Sequence, residues 1–136
     1  MQIVIDSNVL FSALIRDSHT RKSIIEYDGL FLFPSYIFEE LEKHKGELLS
    51  KSKMSEADFD SLLDILLGKV AIVPSELLDC HYDEAYGIVR DIDPNDVLFV
   101  ACALAYPGSI IWSEDRGLKR QSEVMVLNTK EITRII

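Results

Sequence analysis

An α/β fold, with a central parallel sheet of about five strands flanked by helices, is what this sequence predicts, on two observations. Short apolar runs rich in β-branched residues alternate with stretches of helical periodicity, as they do when crossover helices join parallel strands. Those runs are also apolar almost throughout rather than at every second position, which is what strands buried on both faces require. The chain has 136 residues, enough for a real core and too few for two ordinary domains, so a single domain spanning residues 1–136 is expected.

The first strand is expected at residues 2–5. Helical runs at 9–15 and 20–27 follow, separated by the polar Arg16-Asp17-Ser18-His19 and closed by Asp28-Gly29. A second strand at 30–33 leads to Pro34-Ser35, where Ser35 is the expected N-cap of a helix whose apolar face carries Ile37, Leu41 and Leu48. Lys51-Ser52-Lys53-Met54-Ser55 reads as an exposed joint between helices. Ser55-Glu56-Ala57-Asp58 then resembles a capping box with a shortened acid, opening a helix that carries Phe59, Leu62, Leu63 and Leu66 and stops at Gly68. A third strand is expected at 70–73, a helix at 80–90, and a strongly apolar helix at 95–106 that Pro107-Gly108 ends. Strands at 109–112 and 124–127, with short helices near 116–120 and 129–134, complete the chain. Strand order is not legible, and there is no internal repeat, linker or low-complexity segment.

Composition excludes several classes of function. No apolar run approaches the roughly 18 to 20 residues of a membrane-spanning helix, and the first residues lack the pattern of an export signal, so a soluble, cytoplasmic protein without a membrane partner is expected. Cys80 and Cys102 do not suggest a disulfide framework, and His19, His44 and His81 fall at no spacing typical of zinc. The formal charge of -9 argues at first against a nucleic-acid partner. Yet basic residues cluster after particular acids: Arg16, Arg21 and Lys22 after Asp6, Lys43, His44 and Lys45 after Glu40, and Arg116, Lys119 and Arg120 after Asp115. Taken alone, each cluster reads as a solvated helix face, which is what most short charge runs are.

Four acids stand near points where a strand or loop hands over to a helix: Asp6, Glu40, Asp96 and Asp115. Singly, each has a structural explanation, since the N-terminus of a helix favours a nearby negative charge. Together, if the fold gathers them, they form a pocket of mutually repelling carboxylates that a hard cation such as Mg²⁺ or Mn²⁺ relieves. In open α/β sheets ligands bind beyond the carboxyl ends of the strands, where Asp6 and Asp115 are expected to lie.

These residues resemble the PIN domain, the fold of small metal-dependent ribonucleases that includes VapC-type toxins, and the resemblance covers the whole chain. Ile3-Val4-Ile5-Asp6-Ser7-Asn8 is similar to the family's first motif and Glu40-Leu41 to its Glu-Leu. Asp96-Val97-Leu98-Phe99-Val100-Ala101-Cys102-Ala103 resembles the motif of an Asp opening an alanine-rich helix, and Ser113-Glu114-Asp115-Arg116-Gly117-Leu118 the last motif. The resemblance implies Mg²⁺- or Mn²⁺-dependent hydrolysis of RNA, with Asp6, Glu40, Asp96 and Asp115 as catalytic and metal-binding residues. Glu40 stands as a ligand or as the base, with Glu39 as its alternative. Asn8 and Ser113 would orient the acids, and Asp93 would either share the face of Asp96 or start the turn at Pro94. Lys43, Arg116, Lys119 and Arg120 would hold the phosphate backbone. A toxin role implies an antitoxin partner, and the family suggests a homodimer. Two alternatives stay open: an inactive PIN module that binds RNA or protein, and a phosphatase, although Asn8 stands where that second reading expects an Asp.

Overall fold

Ile3, Val4 and Ile5 have no solvent exposure, because the strand they form lies in the middle of the sheet with helices over both faces. The computed structural model describes residues 1–136. Its strands are β1 (Ile3–Ile5), β2 (Phe31–Pro34), β3 (Val70–Val73), β4 (Ile110–Trp112) and β5 (Met125–Leu127). They pair in the order β3-β2-β1-β4-β5, every pair parallel, so the molecule is an α/β fold built on a five-stranded parallel sheet. Each strand lies within a residue or two of its expected place.

The helices are α1 (Ser7–Ile15), α2 (His19–Glu26), α3 (Ile37–Ser52), α4 (Glu56–Leu67), α5 (Ser75–Asp79), α6 (Tyr82–Val89), α7 (Val97–Ala105) and α8 (Thr129–Ile132), with single 3₁₀ turns at Pro94–Asp96 and Leu118–Arg120. Parallel crossovers are right-handed. The chain steps from β1 to β2 to β3 in one direction and then jumps back past β1 to β4, so α1–α4 cover one face and α5–α7 the other. The contacts agree: α1 packs on α2, α3 and α4, whereas α7 packs on α5, α6 and strands β1, β2 and β4. The Ala and Cys side chains of α7 keep it close to the sheet, and Ala101 and Cys102 are fully buried. No helix is long and apolar enough to cross a membrane.

One contiguous apolar cluster fills both interlayer spaces. Ile3, Ile5, Phe31, Phe33 and Trp112 are its largest sheet residues, each worth about 1.5–3 kcal/mol when fully buried. Trp112 satisfies its indole by donating from Nε1 to Thr129 Oγ1 at 3.0 Å.

Two local expectations are corrected. Ser35 does not cap α3: its amide donates to Val73 O at 3.0 Å, extending the β2–β3 ladder, and Tyr36 takes the cap position without a side-chain bond. Glu40 falls in the first turn of α3. The helix expected at 80–90 is preceded by a separate turn, α5, and begins at Tyr82. Five residues are too few to show helical periodicity, which is why α5 was invisible. Ser55 does cap α4, accepting from the amide of Asp58 at 3.1 Å. The joint before it turns on Lys53, at φ 59°, and Gly108, at φ 85°, makes the turn between α7 and β4.

Candidate metal centre

The strand order reverses between β1 and β4, and a crevice opens beyond the carboxyl ends of strands at such a point. Asp6 follows β1 directly and caps α1, its Oδ1 accepting from the amide of Asn8 at 3.4 Å. Its other oxygen accepts from Ser113 Oγ, just beyond β4, at 2.6 Å. The same Ser113 oxygen accepts from the amide of Asp115 at 3.0 Å, so one buried hydroxyl ties the ends of the two neighbouring strands together. Asp115 Oδ1 accepts from the amide of Gly117 at 2.8 Å.

Asp93 and Asp96 arrive from the opposite helical layer. Asp93 caps the 3₁₀ turn, accepting from the amide of Asn95 at 3.0 Å, and Pro94 begins the turn, where its missing N–H costs nothing. With three residues per turn, side chains three apart eclipse one another, so Asp93 and Asp96 project to one side. Asp93, Asp96 and Asp115 each offer a carboxylate oxygen, and the three oxygens lie within 4.8 Å of one another. Asp96 Oδ2 is buried and has no hydrogen-bond partner. An orphaned anionic oxygen is costly to bury, and three such groups together more so, unless a cation or protons compensate.

The electrostatics follow. The Asp96 carboxyl is pushed up to about 8, first by burial, then by the adjoining Asp115 carboxyl and the charges of Asp6 and Asp93. Burial also raises Asp6, against the lowering bonds from Ser113 and Asn8. Tyr36, whose hydroxyl lies 3.2 Å from Ser7 Oγ, is pushed up to about 12 by burial and stays a neutral donor beside the acids.

These groups line one cleft of about 1250 Å³, which also takes in Glu40, Lys43, His44 and Lys51 of α3, Asn8 and Tyr82. Glu40 therefore faces the cleft, 3.3 Å from His44 Nε2, whereas Glu39 is exposed outside it. The expected positions separate accordingly. Asp6, Glu40, Asp96 and Asp115 share the cleft, but the tight oxygen cluster contains Asp93 and neither Asp6 nor Glu40. Asn8 reaches Asp6 through its backbone amide rather than its side chain. Among the expected phosphate contacts, Lys43 lines the cleft, while Arg116, Lys119 and Arg120 do not, and Lys119 is paired with Glu131. Sequence reasoning missed Tyr36, His44, Lys51 and Tyr82; only the i, i+3 spacing of Asp93 and Asp96 could have promoted Asp93.

The donor set fits a hard divalent cation: all carboxyl oxygens, with Asp96 Oδ2 buried and without a partner. A family model for the PIN domain matches residues 4–133. None of the curated proteins matches the chain significantly. Among solved structures, the chain resembles a chain of VapBC2 from Rickettsia felis bound to a DNA fragment from their promoter. The identity is 22%, the match covers 94% of this chain and 98% of the other, and the TM-score is 0.67, a likeness of fold.

Proposed function

The chain belongs to the PIN domain family, and on that premise we propose that it is a single-domain, Mg²⁺- or Mn²⁺-dependent ribonuclease. The observation that carries this reading is the grouping of Asp93, Asp96 and Asp115, with Asp96's own Oδ2 buried and unpartnered, at the point where the strand order reverses. Asp93, Asp96 and Asp115 would hold the ion, with Asp6 beside them. A bound divalent cation lowers the pKa of water and offsets the negative charge that builds on a phosphate during hydrolysis.

The chain's own groups do the rest. Ser113 holds Asp6 and the Asp115 backbone in fixed relation, so the acids need not reorganise when substrate arrives. Glu40, a further ligand or the base, would in the second role accept a proton from the attacking water, and His44, whose Nε2 lies 3.3 Å from its carboxylate, would pass that proton on. Tyr36, which lines the cleft and keeps its proton, would offer the substrate a neutral hydroxyl donor. Lys43, which takes part in none of the ion pairs, supplies a free cation for the backbone.

The cellular role proposed is that of a toxin whose antitoxin covers this cleft, supported by the likeness of fold to VapBC2. The test of the catalytic reading is incubation of the purified protein with structured and unstructured RNA, with and without Mg²⁺ or Mn²⁺, beside Asp96→Asn. Cleavage that needs the ion and is lost in the variant is the expected result. Cleavage that survives chelation, or is equal in the variant, counts as contamination and defeats the reading.

A further inference from the structure

Helix α6 carries two large aromatic side chains that the core does not use. Its packing face is Ala85 and Val89, both fully buried, while Tyr82 and Tyr86 remain 41% and 45% exposed. One helical turn apart, their rings lie 8° from parallel with centroids 6.4 Å apart. Tyr82 also lines the acidic cleft, so the pair begins at the cleft wall and continues out along the helix.

The chemistry around them narrows what they can receive. Asp83 and Glu84, exposed on the same helix, repel a phosphate backbone. The unpaired cation of the cleft, Lys43, lies on α3 in the other helical layer. A nucleic acid running between them would keep its phosphates toward Lys43 and the acid-held ion and turn its bases toward α6. A flat aromatic face receives any base, since every base offers a π-surface. Only unpaired bases are free to be received, because those of a duplex are already stacked on one another.

We propose that Tyr82 and Tyr86 form a stacking platform for unpaired nucleobases, next to the phosphate held by Lys43 and by the ion among the acids. This rests on the ribonuclease reading. The platform contributes to binding and positioning, and takes no part in bond breaking.

The test uses the full chain carrying Glu40→Gln, which removes the proposed base and leaves the oxygen cluster intact, so that RNA survives the measurement, with Tyr82→Ala, Tyr86→Ala and Tyr82→Phe added in turn. Fluorescence anisotropy reads the binding of a short labelled single-stranded RNA and of its duplex in Mg²⁺. Each alanine should weaken single-strand binding by about tenfold, with phenylalanine close to the parent and the duplex unaffected. An abasic residue in the oligonucleotide should weaken binding to the parent and not to the alanine variant. Unchanged single-strand binding in both alanine variants, or an equal loss on duplex, overturns the platform while leaving the nuclease intact. Unchanged RNA binding with an altered oligomeric state would assign the pair to a protein contact and likewise overturn it. A chain without any substitution that neither binds RNA nor cleaves it in Mg²⁺ or Mn²⁺ removes the ribonuclease reading itself.

Discussion

Ser113 donates a hydrogen bond to Asp6 across 2.6 Å, joining residues 107 positions apart in the chain. Both groups are buried, and the same hydroxyl oxygen accepts from the amide of Asp115. Ser113→Ala therefore leaves a buried carboxylate oxygen and a backbone amide without partners. It is expected to cost about 1–3 kcal/mol of stability, read by urea unfolding, and to raise the Asp6 carboxyl further. Ser113→Thr, which keeps the hydroxyl, should recover Mn²⁺ affinity more fully than Ala. Equal affinity in the two variants would show that the hydroxyl does not organise the acids.

Without metal, stability should fall as pH rises. The unfolded chain releases the Asp96 proton near 3.8, whereas the folded chain holds it until about 8. Between those values the unfolded state binds fewer protons, so the contribution is fully present below 3.8 and lost as pH rises toward 8. Asp6 is raised too and adds to the same slope. Added Mn²⁺ should reverse the trend, since the ion takes deprotonated carboxylates. Urea midpoints in chelator that rise across this window contradict the prediction.

Asp96→Asn should stabilise the metal-free protein at neutral pH by on the order of 1 kcal/mol, because it removes a buried carboxyl crowded by other acids while keeping its shape. The same change should abolish tight Mn²⁺ binding. A variant that melts lower than the parent in chelator would mean that the Asp96 carboxylate is satisfied in a way its surroundings do not account for.

Asp93→Asn should weaken Mn²⁺ binding more than Glu40→Gln does, because Asp93 belongs to the group of oxygens within 4.8 Å and Glu40 does not. Isothermal titration gives the two affinities. A larger loss from Glu40→Gln would move the ion toward α3.

Lys43→Ala should weaken RNA binding and reduce its dependence on salt by about one counterion. Lys119→Ala should do neither, since Lys119 is engaged with Glu131 and lies outside the cleft. Salt titrations of RNA binding that rank the two residues the other way would shift the phosphate path to the Leu118–Arg120 turn.

What a local rule governs could be read in advance. The strands are apolar runs whose place along the chain follows from residue type, and Ser55 caps its helix because the bond spans only three residues. Where a local rule competed with a distant partner, reading failed: Ser35 is a good capping residue, but its amide is taken by β3, which no sequence window around Ser35 contains.

For the site, sequence alone determined which residues carry negative charge and that Asp6, Asp96 and Asp115 sit beside strand ends or helix starts. Their meeting was decided by the order β3-β2-β1-β4-β5, which sets β1 beside β4 and turns the crossover carrying Asp93 and Asp96 onto the other face. Strand order is a property of long-range pairing and crossover handedness, and it leaves no trace in residue spacing. The same pairing left Lys119 outside the cleft and brought Tyr36 and Tyr82 into it, since a side chain's neighbours in a packed layer come from segments that sequence distance does not relate.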